Sequence, residues 1–171
     1  MKRNDSVNSS KSTQPGKAAQ EAFVAERERF MRLALEEART AYAENEVPIG
    51  AVLVSNGKVL ASNHNRCEQR HDPTAHAELL CMQEAVVQCG GRLTDCTLYV
   101  TMEPCAMCIG AAVNAKLPRL VFGAFDDRAG CCGSVMDLSD HCFLWSVEVW
   151  GGVLEAECAG LLTDFFEKIR R

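Results

Sequence analysis

The chain lacks several features that would place it quickly. It has no apolar stretch long enough to cross a membrane: charged or polar residues interrupt each candidate well short of a span. Its amino-terminal residues are polar and hold no apolar signal core, so secretion is not expected. No segment repeats, which excludes solenoids and propellers. Positive charge is also in deficit. Eighteen Lys and Arg stand against 23 Asp and Glu, a formal net charge of −5. That balance argues against indiscriminate nucleic-acid binding, which needs a strong positive field, but leaves room for a local basic face. Candidates for such a face are Arg66 and Arg70, Lys116 and Arg119, Arg128, and Lys168, Arg170 and Arg171.

What is present fits one domain. The 171 residues have room for a single core, and 47% hydrophobic with 24% charged residues is an ordinary soluble composition. Ten cysteines is a high count. Cys67, Cys81, Cys89, Cys96, Cys142 and Cys158 fall singly within apolar or amphipathic patterns, which reads as free thiols in a reducing cytoplasm rather than a disulfide scaffold. The adjacent pair Cys131-Cys132 reads as loop thiols.

Residues 1–20 are rich in Ser, Asn, Lys and Gln and read as a disordered tail ahead of a domain over 21–171. From about Glu21 to Glu44, Phe23, Phe30, Leu33, Ala34, Ala38 and Ala41 recur at helical spacing, and Val47-Pro48 ends the helix. Ile49 to Ser55, then Asn56-Gly57, then Lys58 to Ser62 predicts a hairpin whose first strand is apolar on both faces. A surface loop is expected over Asn63 to Pro73. Asp72-Pro73-Thr74 should cap a helix running to about Gln88, with His76 in its first turn. A strand at Cys96 to Thr101, a helix at Cys105 to Ala115, strands at Arg119 to Phe125 and Ser146 to Trp150, and a helix from Glu155 to Arg171 complete the order. The expected fold class is α/β, with one mixed sheet and helices on both faces.

Two short runs carry the chemistry: Thr74-Ala75-His76-Ala77-Glu78 and Glu103-Pro104-Cys105-Ala106-Met107-Cys108. Cys105 and Cys108 share one face of a helix start, where partial positive charge favours thiolates. Alone, the pair fits a redox dithiol as well as a metal site. With His76 it offers three ligands and leaves a fourth position open, the form of a catalytic zinc site. Glu78, uncoordinated, is then the candidate general acid/base. His-x-Glu, a spacer, and Pro-Cys-x-x-Cys is the signature of the zinc nucleobase deaminases.

From Val47 onward the chain resembles the bacterial tRNA-specific adenosine deaminases of the cytidine deaminase-like superfamily. The resemblance runs through Val47 to Val52, Asn65-Arg66, His71 to Glu78, Thr97 to Thr101, Glu103 to Cys108, Val121 to Ala124, Gly133 to Asp137 and Phe165-Phe166. It implies a three-layer α/β/α sandwich with a five-stranded mixed sheet, a homodimer, and one zinc ion per subunit held by His76, Cys105 and Cys108. It implies hydrolysis of adenosine to inosine at the wobble position of a tRNA anticodon stem-loop, with Glu78 as proton shuttle. It also implies Asn65 as a contact to the target base and Asp126 as a contact to the loop backbone or sugar. Two positions depart from the family pattern: His64 stands where an aromatic residue is usual, and Cys131-Cys132 replace smaller residues. Two rivals share the motif, a free-base or nucleoside deaminase acting on guanine or cytosine, and a non-catalytic zinc-stabilised RNA-binding protein.

Overall fold

The computed structural model describes residues 17–140 and 145–170. Helix α1 (Lys17–Ala43) is followed by the hairpin of β1 (Gly50–Ser55) and β2 (Lys58–His64), a one-turn helix α2 (Cys67–Arg70), and α3 (Ala77–Gln88). Then come β3 (Cys96–Met102), α4 (Ala106–Asn114), β4 (Arg119–Ala124), β5 (Glu148–Trp150) and α5 (Glu155–Ile169). The five strands form one sheet in the order β2-β1-β3-β4-β5. β1 runs antiparallel to β2 and β3, while β3, β4 and β5 are parallel. This is the expected mixed sheet. The turn between β1 and β2 is held by Asn56 and Gly57, both at positive φ (49° and 74°), as the Asn-Gly signal requires.

Alternation along β1 sorts the two cores. Ala51 and Leu53 point to one face and pack with α3 and α4 through Cys81, Met82, Ala85, Ile109 and Ala112. Val52 and Val54 point to the other and meet Phe30, Met31, Ala34 and Leu35 of α1 with Cys158 and Leu162 of α5. The strand is buried on both sides, which explains its unbroken apolar run. The sandwich therefore has α3 and α4 on one side and α1 and α5 on the other.

Three boundaries differ from the sequence reading. α1 begins at Lys17, because Lys17 to Gln20 are good helix formers despite their polar setting. The segment 63–73 is not one loop: β2 continues through Asn63 and His64, and α2 follows. Asp72 does not cap α3. Its Oδ1 accepts the Thr74 N–H at 2.8 Å and the Thr74 hydroxyl at 2.6 Å, closing a local turn around Pro73 instead. The helix starts later, with His76 itself as the N-cap residue in an extended conformation (φ −71°, ψ 146°). Cys142, Arg171 and nearly all of the expected tail lie outside the described residues.

Candidate metal centre and catalytic edge

One edge of the sheet gathers the residues that carry chemistry. Gly50 of β1 pairs with His64 of β2, and Ala51 pairs with Val100 of β3. Met102 of β3 pairs with Ala124 of β4. Asn65, Glu103 and Asp126 therefore leave the same edge, as does the turn into α4. The Arg66 N–H donates to the Ala75 carbonyl at 3.0 Å and brings the His76 segment alongside.

His76 and Cys105 are both N-cap residues, of α3 and α4, and both are extended (ψ 146° and 173°). A cap residue projects its side chain beyond the helix end, so each points into the gap between the two helix starts. Cys108 lies three residues into α4 and joins them from the buried side. His76 Nδ1 lies 3.8 Å from Cys105 Sγ and 3.5 Å from Cys108 Sγ. The three ligand atoms all fall within 4.8 Å of one another. A tetrahedral ion with metal–sulfur bonds of ~2.3 Å and metal–nitrogen bonds of ~2.05 Å would hold sulfur and nitrogen about 3.6 Å apart. The observed spacings bracket that value, so the donor set and its geometry fit a metal ion.

The electrostatics agree. Cys105 is held down to about 3, first by its hydrogen bond with Cys108 and next by His76. His76 is raised, chiefly by its hydrogen bond to Cys105. Cys108 is pushed up by the same hydrogen bond with Cys105 and by burial. The pair thus favours a thiolate at Cys105, at the positive ends of two helices.

Glu78 sits in the first turn of α3 and is 4% exposed. Its Oε2 is buried with no hydrogen-bond partner among the described residues. Burial pushes its carboxyl upward, opposed by the charge of His76. It is a solvent-excluded acid, adjoining the cluster, with an oxygen left free.

The two expected substrate contacts are each held by a buried glutamate that the sequence reading did not single out. Asn65 is buried, and its Nδ2 donates to Glu46 Oε2 at 3.0 Å. Glu46 also accepts the N–H groups of Glu68 (3.2 Å) and Gln69 (2.7 Å). The Asp126 N–H donates to Glu103 Oε2 at 3.1 Å, while Asp126 Oδ1 accepts the Arg128 N–H at 3.0 Å. In sequence both glutamates look like solvated residues; only the count of loop N–H groups lacking partners could have flagged them.

His64, which departs from the family pattern, lies in the interior. It is 3% exposed and bridges Glu37 Oε2 (2.9 Å) and Glu44 Oε2 (3.0 Å) on α1 and just beyond it. The basic candidates also divide. Arg66, Arg70 and Arg128 belong to segments leaving the catalytic edge, and Lys168 Nζ reaches Asn45 Oδ1 at 3.4 Å near Val47 and Glu68. Arg119 starts β4, at the opposite edge, where its Nε donates to Thr97 Oγ1 at 3.0 Å. The seven residues of β3 put about 20 Å between the two edges.

A mixed sheet with a His-Cys-Cys cluster at two converging helix starts, beside a buried carboxylate, is an arrangement that can hold a metal ion next to an acid, as a hydrolytic enzyme requires. The comparisons agree: residues 25–170 match the MafB19-like deaminase family. The chain is 47% identical over 146 residues to the tRNA-specific adenosine deaminase of Bacillus subtilis (strain 168), covering 84% of this chain and 91% of that protein. A structure solved in a study of A-to-I editing by tRNA:A34 deaminases superposes with a TM-score of 0.74 at 43% identity, covering 78% of this chain and 98% of the other. A guanine deaminase structure from Bacillus subtilis gives a TM-score of 0.53 at 35% identity, covering 63% of this chain and 67% of that one. The chain belongs to the tRNA-specific adenosine deaminase family. Among the described residues no helix is long and apolar enough to cross a membrane.

Proposed function

We propose that the protein hydrolyses adenosine to inosine and ammonia at the wobble position, 34, of a tRNA anticodon. The observation that carries this reading is the unpartnered Oε2 of Glu78 beside three atoms spaced as metal ligands. His76, Cys105 and Cys108 would hold one Zn²⁺ per subunit. Zinc supplies Lewis acidity and lowers the pKa of a coordinated water towards ~7. Glu78 would take a proton from the attacking water and deliver it to N1 of the adenine ring, then take the proton of the hydroxyl newly bonded to C6 and pass it to the amine, which leaves as ammonia while C6 becomes the carbonyl of inosine. The buried setting of Glu78 keeps bulk water from taking over this transfer. The N-termini of α3 and α4 favour negative charge where it develops.

Asn65 donates from its amide nitrogen to Glu46 and accepts the Cys67 thiol at its carbonyl oxygen (3.3 Å), which fixes the amide at this edge, where it would meet the target base. Asp126 stands where the backbone or sugar of the loop would pass. The anticodon loop is single-stranded, so its base can enter without duplex opening. Arg66, Arg70, Arg128 and Lys168 supply local positive charge despite the acidic whole. We further read residues 21–171 as the deaminase domain, the enzyme as a homodimer, and its setting as the cytoplasm, alongside mature tRNA. Guanine deamination has less support, since a guanine deaminase structure from Bacillus subtilis is 35% identical to the chain whereas the tRNA-specific adenosine deaminase of that organism is 47% identical.

The test is incubation with total tRNA followed by sequencing for inosine at the wobble position. New inosine with the unaltered protein and none with Glu78→Ala at equal zinc content supports the reading. Inosine formation by Glu78→Ala, or turnover of free guanine but not of tRNA, would sink it.

A further inference from the structure

Glu103 lies between the end of β3 and the metal-ligand turn, and it is 3% exposed. Its carboxylate accepts four hydrogen bonds, all from the segment after β4. Oε1 takes the N–H groups of Cys132 (2.9 Å) and Ser134 (3.1 Å), and Oε2 takes the Asp126 N–H (3.1 Å) and the Ser134 hydroxyl. Two main-chain bonds flank this set: the Glu103 N–H donates to the Ala124 carbonyl, and the Cys131 N–H to the Pro104 carbonyl, both at 2.8 Å. Gly130 packs directly on the carboxylate. A Cβ there would sit 2.4 Å from the Cδ and Oε2 of Glu103 and 2.6 Å from the Asp126 carbonyl oxygen. Residues 126–134 have no helix or strand to satisfy their N–H groups, and an ionised carboxylate, with acceptor sites only, can collect several donors at once. Its charge is taken up by the loop, not by the cluster.

We infer that Glu103 is a positioning residue for RNA: it locks the 126–134 segment to the metal-ligand turn, so that Asp126 and Arg128 meet the anticodon backbone in register with the base held at the cluster. This rests on the reading that RNA is the substrate. The same residue that leads into Pro104-Cys105 thereby sets the distance between the place of chemistry and the place of recognition.

The experiment compares Glu103→Gln, Gly130→Ala and Ser134→Ala with the unaltered zinc-loaded protein, using a synthetic anticodon stem-loop. Zinc content and amide hydrogen exchange are measured beside the kinetics. Gln places an NH₂ against N–H donors, Gly130→Ala displaces the carboxylate without touching its charge, and Ser134→Ala removes one donor only. The first two should raise KM about tenfold, as loss of one good charge-assisted contact does, with kcat within about threefold and zinc retained. Ser134→Ala should do the same to a lesser extent. The amides of Asp126, Cys132 and Ser134 should lose protection while those of β3 and β4 keep theirs. An unchanged KM in Gly130→Ala, or a fall in kcat together with zinc loss, would overturn the inference. An unaltered protein that never turns over the stem-loop overturns the proposed function along with it, whereas turnover with KM indifferent to these substitutions overturns this inference alone.

Discussion

Replacing Glu78 by glutamine should cost activity and spare or improve stability, and the two effects have separate physical origins. Gln has nearly the same shape as Glu but can neither accept nor return a proton at neutral pH. General acid–base transfer contributes roughly 10²- to 10⁴-fold to a rate, or about 2.7–5.5 kcal/mol at ~1.36 kcal/mol per decade. Stability moves the other way. Glu78 is 4% exposed and its Oε2 has no hydrogen-bond partner among the described residues. An unsatisfied buried polar atom costs about 1–3 kcal/mol, and more when charged. The amide leaves that position unpartnered still, so the gain comes only from removing the charge, on the order of 1 kcal/mol. In a domain of this size that is a rise of about 2–4 °C in Tm. The assay is single-turnover inosine formation on a stem-loop, with thermal unfolding and metal content measured on the same preparation. A variant that keeps its rate within about tenfold, or one that holds its metal yet melts several degrees lower, would refute the reasoning.

Gly50→Ala should destabilise the fold by at least ~1–3 kcal/mol, since its Cβ would lie 2.1 Å from the Ala34 carbonyl oxygen and 2.4 Å from the Ala38 nitrogen, both main-chain atoms; an unchanged urea midpoint would contradict this. Glu44 is held below the ordinary carboxyl value, chiefly by its hydrogen bond with His64. Its contribution is therefore present above the unfolded pKa and is lost as pH falls through the folded one, so Glu44→Gln should flatten urea midpoints measured between about pH 6 and pH 3. If Arg66, Arg70, Arg128 and Lys168 meet phosphates of a single-stranded loop, log KM should rise against log salt with a slope approaching about 3, and a flat salt series would remove that basic face. The sulfurs of Cys89 and Cys96 lie 4.0 Å apart. Glutathione disulfide should oxidise the two thiols to a disulfide with release of two glutathione molecules, seen as the mass loss of two hydrogen atoms that Cys96→Ser prevents.

The readable parts of this chain are those where one periodicity governs. β1 could be read as buried on both faces because Val52 and Val54 serve one core and Ala51 and Leu53 the other. The hairpin was legible because Asn56 and Gly57 both need positive φ. The candidate metal-binding cluster was legible because His76, Cys105 and Cys108 sit in two short runs that begin two helices. What escaped is long-range and polar. His64 is fixed by Glu37 and Glu44, 27 and 20 residues away, and nothing in a β-strand pattern announces such partners. The cap of α3 escaped because Asp72 had a nearer donor in Thr74. Arg119 resembled the other basic candidates in composition and differed only in the direction of its strand.

Three buried glutamates near the catalytic edge show why one of them, and not the others, can serve as the proton carrier. Glu46 accepts from Asn65, Glu68 and Gln69, with both oxygens engaged. Glu103 accepts from Asp126, Cys132 and Ser134, again with both oxygens engaged, and these bonds hold its carboxyl below the usual range although burial alone would push it up. Protonating either would break an N–H hydrogen bond and release a loop, so these two are fitted to hold structure. Glu78 is as deeply buried as they are, yet its Oε2 has no hydrogen-bond partner among the described residues. A proton can come and go there without disturbing the backbone. Burial alone marks all three as unusual; what separates scaffold from reagent is whether the protein has already filled the acceptor sites.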